Sequence, residues 1–175
     1  MFRSVFFIVI GCIYVSYGLG ASFCDRATTF ISEQPFICTS RQALSEGLLA
    51  DGYEFQRTLG AKDVYFSPSR YALPATLVSL FNDDDELLMA QYIFPSNSSD
   101  NAYKKIRQGI DDEFGHFKRS RGSELEPRFE FIWYMKDGVR IRFQRKKGAR
   151  EARLTFNLPH KTKAYLRLQA AKQND

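Results

Sequence analysis

The sequence predicts an α+β fold: an antiparallel sheet of hairpins with one central amphipathic helix packed on it and a further helix at the C-terminus. Three observations support this. Apolar segments come in pairs around turn-forming residues, as in ATLVSLF, NDDD and ELLMAQYIF near residues 75–94, and FEFIWYM, KDG and VRIRFQR over 129–145. Between those pairs, apolar residues recur at three- and four-residue steps instead. Strands joined by hairpins on both sides of one helix give an antiparallel sheet.

Along the chain, Tyr53 to Leu59 and Val64 to Ser67 read as early strands, separated at Gly60 and stopped by Pro68. Ala75 to Phe81 and Glu86 to Phe94 flank the turn and make the clearest hairpin. Pro95 ends that strand, and SNSSD offers capping oxygens for a helix over 101–118. Tyr103, Ile106, Ile110, Phe114 and Phe117 share one face of it, with Lys104, Lys105, Arg107, Asp111 and Asp112 on the others. RSRGSELEP reads as a polar loop. Asp137 and Gly138 suit a tight hairpin turn that needs positive φ. On either side, Phe129, Phe131, Trp133 and Met135 form a core-facing set, while Val139 to Arg145 and Glu151 to Phe156 alternate apolar and polar residues. Lys161 to Lys172 predicts the terminal helix, with Ala164, Leu168 and Ala171 on one face.

The first residues stand apart. Arg3 precedes a 15-residue uncharged apolar run from Val5 to Leu19, and the small residues of GLGAS follow. This is the layout of a secretory signal peptide over 1–21, with a single domain over 22–175. Retained, residues 4–19 would instead tether the protein to a membrane. Removal also takes Cys12 and leaves Cys24 and Cys38, with thirteen residues between them. In an exported chain an even cysteine count points to pairing. A disulfide holding down the mature N-terminus is the expectation, and two unpaired thiols are the alternative. Zinc would need two further ligands, and the two histidines, His116 and His160, are too distant in sequence. Neither a metal nor another cofactor is expected.

The net charge of +5 conceals an asymmetry. Residues 136–175 hold twelve Lys or Arg against three acids, so the preceding residues sum to −4. Val139, Ile141, Phe143, Ala152, Leu154 and Phe156 have inward parity, so Arg140, Arg142 and Arg153 point outward together. Arg145, Lys146, Lys147 and Arg150 adjoin them at the turn. This basic face is the candidate binding site. For an exported chain its partner would be an acidic protein or an anionic envelope surface, with nucleic acid disfavoured.

Other motifs point away from catalysis. NDDDE lacks the spaced acids and glycine of a calcium loop. Asp111, Asp112 and Glu113 read as a solvated helix face, and Asn97-Ser98-Ser99 is a glycosylation triplet that also serves as a helix cap. No nucleophile elbow, reactive-cysteine context, His-Glu-x-x-His pair or glycine-rich phosphate loop is present. The expected function is therefore an exported, non-catalytic binding protein, periplasmic or secreted. A membrane-tethered envelope component and a small secreted hydrolase relying on His116 or His160 are the alternatives.

Overall fold

The computed structural model describes residues 23–71, 73–95 and 100–172. The leader over 1–21, Cys12 and the 97–99 triplet lie outside them. The elements in chain order are β1 (Phe30–Ile31), β2 (Gln34–Pro35), α1 (Arg41–Ala50), β3 (Glu54–Leu59), β4 (Lys62–Arg70), β5 (Leu73–Phe81), β6 (Leu87–Phe94), α2 (Asp100–Phe114), β7 (Arg119–Arg121), β8 (Phe129–Tyr134), β9 (Arg140–Arg145), β10 (Ala152–Asn157) and α3 (Pro159–Lys172). The fold is α+β. Its main sheet has eight strands in the order β3-β4-β5-β6-β10-β9-β8-β7. It consists of two four-stranded meanders, β3 to β6 and β7 to β10, joined where β6 pairs antiparallel with β10. α2 connects the meanders and packs across one sheet face.

That inner face is the core. Tyr92 and Phe94 of β6, Ile141 and Phe143 of β9, and Leu154 and Phe156 of β10 are fully buried. Tyr103, Ile106 and Ile110 of α2 close over them, also fully buried. Tyr103 meets Phe129 and Phe143 with ring centroids 5.8 and 6.3 Å apart. Aromatic pairs of this kind contribute about 0.5–1.5 kcal/mol beyond their area burial.

α2 carries Gly109 because a Cβ there would lie 2.5 Å from the Tyr71 ring. Tyr71 belongs to a latch between the β4–β5 hairpin and α2. Its hydroxyl donates to Glu113 at 2.6 Å, and the Arg70 guanidinium sits 4.6 Å from its ring and 3.3 Å from Glu113. Tyr53 and Tyr92 share a hydrogen bond of 3.1 Å beside this latch. Burial pushes the Tyr71 and Tyr92 hydroxyls up, so both stay neutral across the physiological range.

Several elements depart from the sequence expectation. α1 is a third helix, started by the Ser40 hydroxyl, which accepts the Ala43 amide at 3.2 Å. It buries Leu44 and Leu48. β4 does not stop at Pro68; it continues to Arg70 through a register shift after Ser67, which accommodates the missing amide. Arg119–Arg121, expected as loop, pairs with β8 as an edge strand. In α3 the set Ala164, Leu168 and Ala171 is exposed, and Thr162 is the buried position. The residues around the two expected hairpin turns behave as read. Asn82 Oδ1 accepts the Asp84 and Glu86 amides at 3.0 and 2.8 Å, and Gly138 takes φ +82°.

Cys24 and Cys38 form a disulfide, with Cα atoms 5.6 Å apart. The loop-closure model gives such a bridge about 3 kcal/mol. Reduction should therefore lower the urea midpoint by the equivalent of about 3 kcal/mol, measured on the same sample with and without reductant. No helix among the described residues is long and apolar enough to cross a membrane.

Candidate anion-binding site

The alternation read from the sequence holds over β9 and β10. Ile141, Phe143, Leu154 and Phe156 are fully buried inside, and Arg140, Arg142 and Arg153 lie together on the outer face. β7 extends this surface, because Arg121 pairs with Glu130, which pairs with Gln144, which in turn pairs with Arg153. Arg119 opposes Ile132, which opposes Arg142. Five arginines therefore share one sheet face.

Their electrostatic circumstances differ. Arg142 Nε is 3.3 Å from Glu130 Oε1, and Arg153 pairs with Glu151, so two acids partly neutralise the strip. Arg140 has no carboxylate within salt-bridge distance among the described residues; its Nε donates to Asn157 Oδ1 at 3.4 Å. Burial lowers the Arg140 pKa, and the neighbouring Arg142 charge lowers it further. Arg150 is exposed on the β9–β10 turn.

Arg145 does not join this face. β9 runs through it, so its parity matches Ile141 and Phe143, and it pairs with Phe129 on the inner side. Its guanidinium lies 5.5 Å from the Tyr103 ring, which fixes it in place. Its buried Nε has no hydrogen-bond partner. Around it opens a cleft of about 330 Å³ lined by Arg121, Arg128, Arg145, Lys146 and Lys147, with Glu130 the single acid among the described residues. Since Glu130 faces Arg142, the cleft is strongly cationic.

The loop before β8 positions Arg121 and Arg128. Gly122 has φ +74°, and a Cβ there would sit 2.5 Å from the Arg128 carbonyl oxygen, so glycine alone fits. Glu126 accepts the Ser123 amide at 3.1 Å. Arg107 of α2 clamps the loop through Glu124 and also pairs with Asp111. Asp111 is buried rather than solvated, and accepts the Trp133 indole at 3.1 Å; Gly115 O accepts the same proton at 2.8 Å. Two of the three acids expected on a solvated helix face thus hold structure, Asp111 here and Glu113 in the latch.

The sequence reading missed Arg119, Arg121 and Arg128. The period-two arginines of RSR were the available signal, but the turn-like composition after them concealed it. The histidines stay apart: His116 is 95% exposed with Nδ1 4.0 Å from Asp111, and His160 is exposed at the start of α3. No group of three potential metal ligands occurs among the described residues.

No family model matches the chain, and no curated protein does. The chain is similar to a DUF4309 family protein, YjgB, from Bacillus subtilis subsp. subtilis str. 168. The two share 10% identity over 74% of this chain and 86% of YjgB, with a TM-score of 0.42. No residue role follows from so distant a likeness, and YjgB contributes nothing to the chemistry of the cleft. What the cleft can do follows from its side chains. Arginine forks and lysine ammoniums at one rim bind oxyanions through charge-assisted hydrogen bonds.

Proposed function

We propose that this chain is an exported, non-catalytic binding protein whose basic sheet face docks an acidic partner or an anionic surface. The observation that carries the reading is the convergence of Arg121, Arg128, Arg145, Lys146 and Lys147 on one cleft with a single acid among the described residues. The outer-face arginines continue the cationic surface from the cleft across β9 and β10. A sheet surface of this charge attracts oxyanions from a distance and holds them by forked contacts at the cleft. Export is supported by the leader's composition and is compatible with the Cys24–Cys38 disulfide.

The test is retention on immobilised polyglutamate. The native protein should bind at low salt and elute as ionic strength shortens the Debye length below 10 Å. A triple variant, Arg121→Gln, Arg128→Gln and Lys147→Gln, removes three exposed cations that no core contact uses. It should bind at least tenfold more weakly and elute at lower salt, with an unchanged melting curve. Equal retention of the variant and the native protein would remove the cleft from the function.

A further inference from the structure

A second cationic feature lies on the outer face, away from that cleft. α3 packs against β6, and beside it a groove of about 490 Å³ is lined by Arg140, Asn157, Thr162, Lys163, Leu166 and Arg167, among others. Two columns of the helix face it. Thr162, Leu166 and Ala170 follow each other at four-residue steps, and Lys163 and Arg167 do so beside them. An apolar stripe and a cationic stripe therefore run side by side along one wall. Among the described residues no acid lines the groove.

α3 is anchored by a different side. Lys161 reaches Glu86 at 3.4 Å, and Lys172 and Gln169 reach Asp83 at 3.2 and 3.3 Å. At its base the Thr162 hydroxyl donates to the Leu88 carbonyl at 3.0 Å. These contacts fix the helix base on β6 and its far end at the β5–β6 turn. Leu166 remains 51% exposed in the groove wall. Opposite it, the half-buried Arg140 makes a 3.4 Å bond to Asn157 and no ion pair among the described residues, while Glu130 is engaged with Arg142.

We propose that this groove binds a free single-chain anionic amphiphile, with a carboxylate or phosphate-ester head held by Arg140, Lys163 and Arg167 and its alkyl chain laid along Leu166 and Ala170. Arg140, Lys163 and Arg167 line one groove with no carboxylate among the described residues in its lining and supply the head site, and the Arg140 guanidinium is already partly desolvated, so an oxyanion recovers what burial removed. The adjacent apolar column gives the chain a surface to cover. A macromolecular polyanion would gain nothing from Leu166 and Ala170, which distinguishes this groove from the cleft at the other end of β9.

The experiment is isothermal titration of the full chain with octanoate, decanoate and dodecanoate below their micelle concentrations. Acetate and inorganic phosphate serve as headgroup-only probes. One-to-one binding is expected, strengthening roughly two- to fourfold per methylene as the chain is covered. Arg140→Gln with Arg167→Gln should weaken dodecanoate at least tenfold. Leu166→Asn should flatten the chain-length dependence while leaving headgroup binding. Lys163→Gln, at an exposed site, provides a check if the double variant folds poorly. Three results would each overturn the proposal: acetate binding as tightly as dodecanoate, no saturable binding of monomers, or binding confined to anionic vesicles. The cleft variant Arg121→Gln, Arg128→Gln, Lys147→Gln should bind dodecanoate normally, so this inference and the polyanion reading stand or fall separately.

Discussion

Replacing Arg41 by Met should cost about 3 kcal/mol of stability at pH 7, and the loss should shrink as the solution is acidified. Arg41 opens α1 and grips Asp63 of β4 in a forked contact, Nε to Oδ2 at 2.7 Å and Nη2 to Oδ1 at 2.6 Å. Thr58 adds a hydroxyl at 2.7 Å. The Asp63 side chain is only 5% exposed. Burial by itself raises its pKa, but the bonds from Arg41 and Thr58 and the Arg41 charge outweigh that and hold the carboxyl below its usual range. A native pKa below the unfolded one stabilises the fold above the unfolded pKa. That contribution is lost as pH falls through the lowered native value. In the Met variant the burial penalty is unopposed by charge and the carboxylate keeps only the Thr58 hydroxyl among these partners, a costly case for a buried ion. Protonation relieves the variant, and the gap from the native protein should narrow as pH falls towards 4. Urea unfolding at pH 7, 5 and 4 checks this. A gap independent of pH would mean that Arg41 contributes packing rather than charge.

Asp137→Ala should cost a similar amount, about 3 kcal/mol, by a different route. Asp137 lies in the β8–β9 turn, yet its carboxylate accepts the Thr28 and Thr29 amides at 2.8 and 2.9 Å and the Thr29 hydroxyl at 3.2 Å. It also accepts the Val139 amide of its own turn at 3.2 Å. Thr29 is fully buried, so alanine at 137 leaves its donors without their acceptor. Each charge-assisted bond of this type contributes about 1.5 kcal/mol or more, less the part that water replaces at exposed Thr28. Hydrogen exchange should locate the effect at Thr29 and its neighbours before global unfolding. Asp137→Asn keeps an acceptor and should recover roughly half of the loss. With the disulfide reduced as well, the combined loss should fall short of the sum of the two, because both hold the same segment, residues 23–38, and either loss already loosens it.

In the second meander β9 and β10 were legible because each has one wet and one dry face, whereas β7, exposed at every position, was not. Ile141 and Phe143 against Arg140 and Arg142 leave a single possible register. α2 was legible for the same reason at a different period, through Tyr103, Ile106 and Ile110. α1 was not: only Leu44 and Leu48 are buried over ten residues, too few to impose a pattern without knowing that Ser40 caps it. Arg145 was placed at the turn because basic residues continue past it to Lys147. The ladder actually extends through Arg145, and alternation turns it under α2. The cleft therefore draws on both faces and on a loop, Gly122 to Arg128, whose path depends on Arg107 in a helix far away in sequence. α3 lacked a readable dry face because ion pairs at Asp83 and Glu86, rather than apolar burial, hold it.

The strap formed by Asp137 gives the molecule a polarity. Thr28 and Thr29 are bound at the turn between β8 and β9, whereas Arg128, Lys146 and Lys147 mark the opposite end of the same two strands. Six residues of strand put about 20 Å between those ends. A dye coupled at the exposed position 28 would sit at the far pole and leave the cationic mouth facing outward.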